Sequence, residues 1–211
     1  MRVLFLLLIA FAGTEALSQQ HNTTEIRLFN GATFSGWEGD TVNTWHIHEG
    51  VLTGGSLTEK VPHNEFISTT KTYKNFILRL KFRLLGTEGF INTGVQFHSK
   101  RIADPPYEMT GYQADLGDGY WASLYDESRR NKVLVHADSL LVSRILRRNE
   151  WNDYEVRSEN GRIRIKLNGT QTVDYTEPDK TIPQFGYIAL QIHGGGKAAV
   201  SFKDIFIKEL H

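Results

Sequence analysis

The chain of 211 residues has no cysteine. That excludes disulfide staples, a lipobox anchor and any thiolate metal site, and leaves stability to packing. Net charge is missing as well: 24 Lys and Arg face 24 Asp and Glu, so nothing favours nucleic acid or an anionic membrane as partner. No apolar run reaches the length of about 20 residues that a bilayer span requires. The apolar run Val3–Ala12 follows Met1-Arg2 and gives way to the small residues of GTEALSQQ. One positive charge, a short apolar stretch, and Ala16 and Ser18 at a cleavage position describe a secretory signal peptide at residues 1–18. Export without disulfides suits a Gram-negative periplasm. Internal repeats, low-complexity tracts and linkers are absent too, so residues 19–211 are expected to form a single domain with a sizeable core.

What is present is period-two patterning. In FILRLKFR, Phe76, Leu78, Leu80 and Phe82 fall on one side and Arg79, Lys81 and Arg83 on the other, the signature of a half-buried strand. Similar runs recur at GVLTGG, DYEVRSENGRIRIKLNGTQTVDY, GYIALQIHG and AVSFKDIFIKEL, with Asn160-Gly161 and Asn168-Gly169 as hairpin signals. Only SLLVSRILRRN, Ser139–Asn149, suggests a short helix. Many short strands with regular turns predict an all-β sandwich or jelly roll.

Three of these strands carry an unusual polar face. Alternation puts Asn92, Gln96 and His98 together in INTGVQFHS, Gln113 and Asp115 in GYQADLG, and Gln191 and His193 in ALQIHGG. Elsewhere the chain uses Arg and Lys on exposed strand faces; here it uses amides, His and Asp, which suit hydroxyl recognition and proton transfer. A solvated outer face is the bland alternative for any one strand. The loop YWASLYDESRR adds Tyr120, Trp121 and Tyr125 as stacking faces for sugars, Asp126 and Glu127 as acids, and Arg129 and Arg130 as cations able to polarise a carbonyl. Its Asp and Arg residues also suit simple ion pairing. Trp37, Trp45 and Trp151 have apolar neighbours and read as packing residues.

The ordered set LFNGATFSGWEGD, TWHIHEGVLTGG, FISTTKTYKNFILRLKFRL, NTGVQFHS, GYQADLGDGYWASLYDESRR, EWNDYEVRSENGRIRIKLNGTQTVDY and GYIALQIHGGGKAAVSFKDIFIKEL resembles the 3-keto-disaccharide hydrolase domain family from about Ile26 to Leu210. The resemblance implies a concanavalin A-like jelly roll of two curved antiparallel sheets, with ligand on the concave face, and cleavage of the glycosidic bond of sugars oxidised at carbon 3. Related glycosidases carry paired carboxylates on one strand; Gln113 and Asp115 offer one amide and one acid, which disfavours displacement by two carboxylates. A ketone at carbon 3 acidifies the hydrogen on carbon 2, so one base, one acid and an enolate stabiliser suffice for elimination. Asp115, His193, His98 and Glu127 are the candidates for proton transfer. Asn92, Gln96, Gln113, Trp121, Tyr125, Arg129, Arg130 and Gln191 are the candidates for substrate binding. A divalent cation on some of Asp115, His98 and His193 is an alternative stabiliser, and direct hydrolysis an alternative to elimination. The expected partners are a carbohydrate substrate and, in sequence of reaction, a sugar 3-oxidoreductase. A noncatalytic glycan-binding module on the same face is the alternative function.

Overall fold

The computed structural model describes residues 24–210; the leader expected at residues 1–18 lies outside them. In chain order the strands are β1 (Ile26–Arg27), β2 (Trp37–Glu38), β3 (Trp45–His48), β4 (Val51–Gly55), β5 (Glu65–Tyr73), β6 (Phe76–Gly89), β7 (Asn92–Arg101) and β8 (Met109–Gly117). They continue as β9 (Leu124–Glu127), β10 (Lys132–Val135), β11 (Asn152–Glu159), β12 (Arg162–Leu167), β13 (Thr170–Thr176), β14 (Gly186–Ile192) and β15 (Gly196–Glu209). The helix α1 (Ser139–Ile145) interrupts them after β10, capped by Asp138, whose side chain accepts from the N–H groups of Leu140 and Leu141.

Two antiparallel sheets result. One runs β13-β12-β11-β6-β15-β4-β3 with β1 paired to β15; the other runs β10-β9-β8-β7-β14-β5-β2. The alternation of β6 is realised: Phe76, Leu78, Leu80 and Phe82 are buried between the sheets, while Arg79 and Lys81 pair outside with Glu155 and Asp153. Facing them from the second sheet are Val95, Phe97, Tyr112, Ala114, Leu116, Ile188, Leu190 and Ile192, all fully buried. This is the two-sheet jelly roll the period-two pattern predicts. Trp37 and Trp45 are core residues, and Trp151 lies beneath Arg83 and Lys203 on an outer face. Among the described residues no helix is long and apolar enough to cross a membrane.

The second sheet differs from an ordinary sandwich sheet because its outer face is buried too: every residue of β7 from Asn92 to Ser99 is buried. The segment after β7 folds back over that face. Arg101 donates to the carbonyls of Tyr107 and Phe66, Tyr107 stacks on His63, and Asn64 donates to Glu108. The outer face is thereby roofed at one end and open at the other.

Candidate active site

Register decides which side chains meet. On β7 and β8, Gly94 pairs with Asp115 and Gln96 with Gln113; on β14, Gln191 pairs with Gly94. Directly paired residues point to the same face, so Asn92, Gln96, Gln113, Asp115 and Gln191 form one polar floor, as the alternation predicts. Gly94 sits at its centre for lack of a side chain. A Cβ there would stand 2.6 Å from Cγ and Cδ of Gln113. The space lets Gln113 lie across β7, where its Nε2 donates to Oε1 of Gln191 at 3.1 Å.

At the open end, Asn92, Gln113 and Asp115 join Phe90, Tyr120, Tyr125, Glu127 and His193 around a cavity of about 110 Å³. That is well below the roughly 300–1,000 Å³ usual for drug-sized ligands, and it suits the reacting edge of one ring. Asn92 Nδ2 and the Leu116 N–H both donate to the same oxygen of Asp115, Oδ1, at 2.9 Å. Oδ2 is left for a proton. Burial pushes the Asp115 carboxyl up to about 7, against the pull of these donors. Burial, then the negative charges of Glu108 and Asp115, push Glu127 to about 7 as well. No Lys or Arg lines the cavity to offset either. His193 holds its Nδ1 at 2.7 Å from the Gly194 carbonyl; a carbonyl only accepts, so Nδ1 carries the proton and Nε2 is a free acceptor. Burial raises the Tyr125 hydroxyl and keeps it a donor.

Gln96 and Gln191, also expected to bind substrate, stay fully buried in the floor and outside the cavity lining, and four other expected residues lie elsewhere. His98 follows alternation only until a β-bulge: Phe97 and His98 together oppose Ile188, and His98 takes a positive φ of 49°. The extra residue turns the imidazole away from the polar floor. It packs on Phe76, Phe97 and Tyr112 and bonds through Nε2 to the Lys74 carbonyl. Asp126 points inward with Leu124, and the turn at Ser128, with φ 52°, brings Arg129 and Arg130 back onto it. Asp126, fully buried, takes Arg129 at 2.7 Å and also Arg130; Arg130 reaches Glu177 at 2.8 Å, and Arg129 lies over the Tyr112 ring. They are a buried ion-pair network, not a carbonyl clamp. Trp121 stacks on Phe82 and lines a separate cleft of about 720 Å³ beside α1, with Arg148 over its ring.

With His98 turned away, Asp115, His98 and His193 cannot share a cation, and among the described residues no cluster of three His, Asp or Glu side chains suits one. Phe90 is a wall that sequence reasoning missed; it stands edge-on to Tyr120 and His193 at 6.3 and 4.7 Å. Its signal was parity, two residues before Asn92.

A family model described as the 3-keto-alpha-glucoside-1,2-lyase-like domain matches residues 24–208. The chain belongs to this family. Membership places it among carbohydrate-active proteins and spans both sheets and every residue of the cavity. No curated protein matches the chain. Among solved structures, a candidate glycosyl hydrolase from Parabacteroides distasonis ATCC 8503 is similar at 23% identity and TM-score 0.65, over 89% of this chain and 94% of that one. The carbohydrate binding module CBM66 from Bacillus subtilis is similar at 15% identity and TM-score 0.64, over 82% and 96%. A Bacillus licheniformis beta-glucanase is similar at 9% identity and TM-score 0.56, over 92% and 100%. At these identities the likeness carries the concanavalin A-like jelly roll to this family member and nothing about its substrate.

Proposed function

We propose that the chain is an exported, periplasmic enzyme that cleaves 3-keto-glycosides by elimination across carbons 1 and 2. The observation that carries the reading is the pair of carboxyls, Asp115 and Glu127, held near neutrality in one cavity without a neighbouring cation. Burying two acids this way costs stability that a binding module, which needs only amides and aromatics, has no reason to give up. The family description, a 1,2-lyase acting on 3-keto-glucosides, names chemistry that needs one base and one acid.

The two carboxyls are unequal. Asp115 receives donors from Asn92, Leu116 and Gln113 that favour its charged form, whereas Glu127 has one, from Gln191, set against the charges of Glu108, Asp115 and Asp126, which favour its protonated form. Asp115 is therefore the base and Glu127 the acid. Asp115 Oδ2 takes the proton from carbon 2; the electron pair of that bond becomes an enolate on the carbon 3 oxygen. The enolate then reforms the ketone as a double bond forms between carbons 1 and 2, the bond from carbon 1 to the glycosidic oxygen breaks, and Glu127 protonates that oxygen. Tyr125 O–H is a donor for the enolate, and His193 Nε2 an acceptor for a sugar hydroxyl. Addition of water to the unsaturated product completes a net hydrolysis. A sugar 3-oxidoreductase supplies the ketone in this scheme.

The test is a 3-keto-glucoside deuterated at carbon 2. Elimination slows on deuteration, and in heavy water returned substrate carries solvent deuterium at carbon 2. The unoxidised glucoside releases no aglycone. Cleavage with neither isotope effect nor exchange means direct hydrolysis at carbon 1, and turnover of the unoxidised glucoside removes the keto-sugar reading. Export is tested separately by the mass of the mature chain, which starts at Gln19 if the leader is cut after Ser18.

A further inference from the structure

A second cavity lies at the other end of β7 and β14, where the bulge releases His98. It has a volume of about 580 Å³ and is lined by His98, Lys100, Arg129, Pro183, Phe185 and Tyr187 together with small hydroxyl residues. His98 is 5% exposed, and its Nδ1 has no partner in the protein. Because Nε2 faces the Lys74 carbonyl at 2.8 Å, it carries the proton, and Nδ1 is an acceptor. Burial, and the Arg129 charge, hold the ring neutral. An acceptor so placed calls for a hydroxyl or N–H donor.

The other walls narrow the ligand further. Phe185 is 61% exposed at this cavity, a flat apolar face available to the C–H side of a sugar ring. No carboxylate lines the cavity. Arg129 is neutralised by Asp126 behind it, but Lys100 is exposed and makes no ion pair among the described residues. We infer that this cavity is a second, noncatalytic carbohydrate site that takes a pyranose bearing a carboxylate, its hydroxyl on His98 Nδ1, its ring on Phe185 and its carboxylate on Lys100. The inference does not depend on the elimination chemistry, since no residue of the first cavity takes part.

Glucuronate is the probe, titrated into the mature chain while the side-chain signals of His98 and Phe185 are followed by NMR. Saturable shifts at those two residues are expected, with glucose binding more weakly. Phe185→Ala, at an exposed position that the fold does not need, weakens binding by about tenfold, the equivalent of one lost stacking contact. Lys100→Gln removes the preference for glucuronate over glucose and leaves glucose binding alone. Asp115→Asn changes neither. Shifts confined to residues of the first cavity, or no saturable shift at His98 and Phe185, overturn the inference. So does benzoate binding there while both sugars fail, which marks a site for apolar anions instead.

Discussion

Asn92→Ala tests the base assignment without touching the base. Asn92 gives Asp115 Oδ1 one of its two 2.9 Å donors, and both groups are buried. A hydrogen bond to a charged group contributes about 1.5–3 kcal/mol, and each pKa unit corresponds to about 1.36 kcal/mol. Losing a donor that favours the charged form therefore raises Asp115 by about one to two units. The starting point is about 7. At pH 7 the ionised fraction then falls from about a half to between a tenth and a hundredth, so kcat/KM falls roughly 5- to 50-fold. The assay is the pH profile of kcat/KM on a nitrophenyl 3-keto-glucoside, whose leaving group needs no acid, corrected for uncatalysed decay and paired with a carboxyl 13C titration of Asp115. The basic shift must appear in both, and activity must recover as pH rises through the new value. A loss uniform across pH, with the Asp115 titration unmoved, refutes the base assignment and transfers the role to the free Nε2 of His193.

Glu127→Gln removes the acid, so release of alcohol leaving groups slows by about 10²–10⁴, while a nitrophenolate, which leaves unprotonated, is nearly unaffected; equal losses for both refute the acid role. Asp126→Asn strands Arg129 beside a buried amide and leaves Arg130 to Glu177 alone, and breaking a buried pair costs about 3–5 kcal/mol, or roughly 6–20 °C in Tm for a chain of this size; an unchanged Tm counts against the structural reading of these arginines. His98 is lowered from 6.5 to about 4 by burial, so the unfolded chain binds the proton first. Its contribution is present above about pH 6.5 and lost as pH falls towards 4, a loss of about 3 kcal/mol. Denaturant titrations of His98→Asn show a flatter stability profile across that window, and identical slopes in both proteins contradict it.

The fold was legible because alternation is a one-strand signal. Leu78 and Arg79 announce their faces whatever they pair with. The polar floor was legible for the same reason as far as Gln96. One residue later the reading failed at His98, because a bulge depends on neighbouring strands and leaves no mark in the composition of its own. Arg129 and Arg130 failed differently. Their loop was judged by residue type, whereas the parity of Leu124 already pointed Asp126 inward, and a buried acid calls for cationic partners. Trp121 looked like a sugar platform by chemistry, but a turn at Ala122, with φ 54°, lies between it and β9, and parity does not carry across a turn.

The bulge at His98 also has a meaning for insertions and deletions. Before it, the even-numbered residues of β7 face outward; after it, Ser99 pairs with Tyr187 and Arg101 with Met109, so the odd-numbered ones do. The single extra residue thus shifts the phase of the strand halfway along. Deleting it would leave Asn92, Gly94 and Gln96 in place but turn Arg101 over, release its bonds to Phe66 and Tyr107, and unlatch the roof over the far end of the face. A relative lacking this residue would keep the same chemical floor under a longer, open groove, with length of chain rather than residue identity deciding how much sugar it admits.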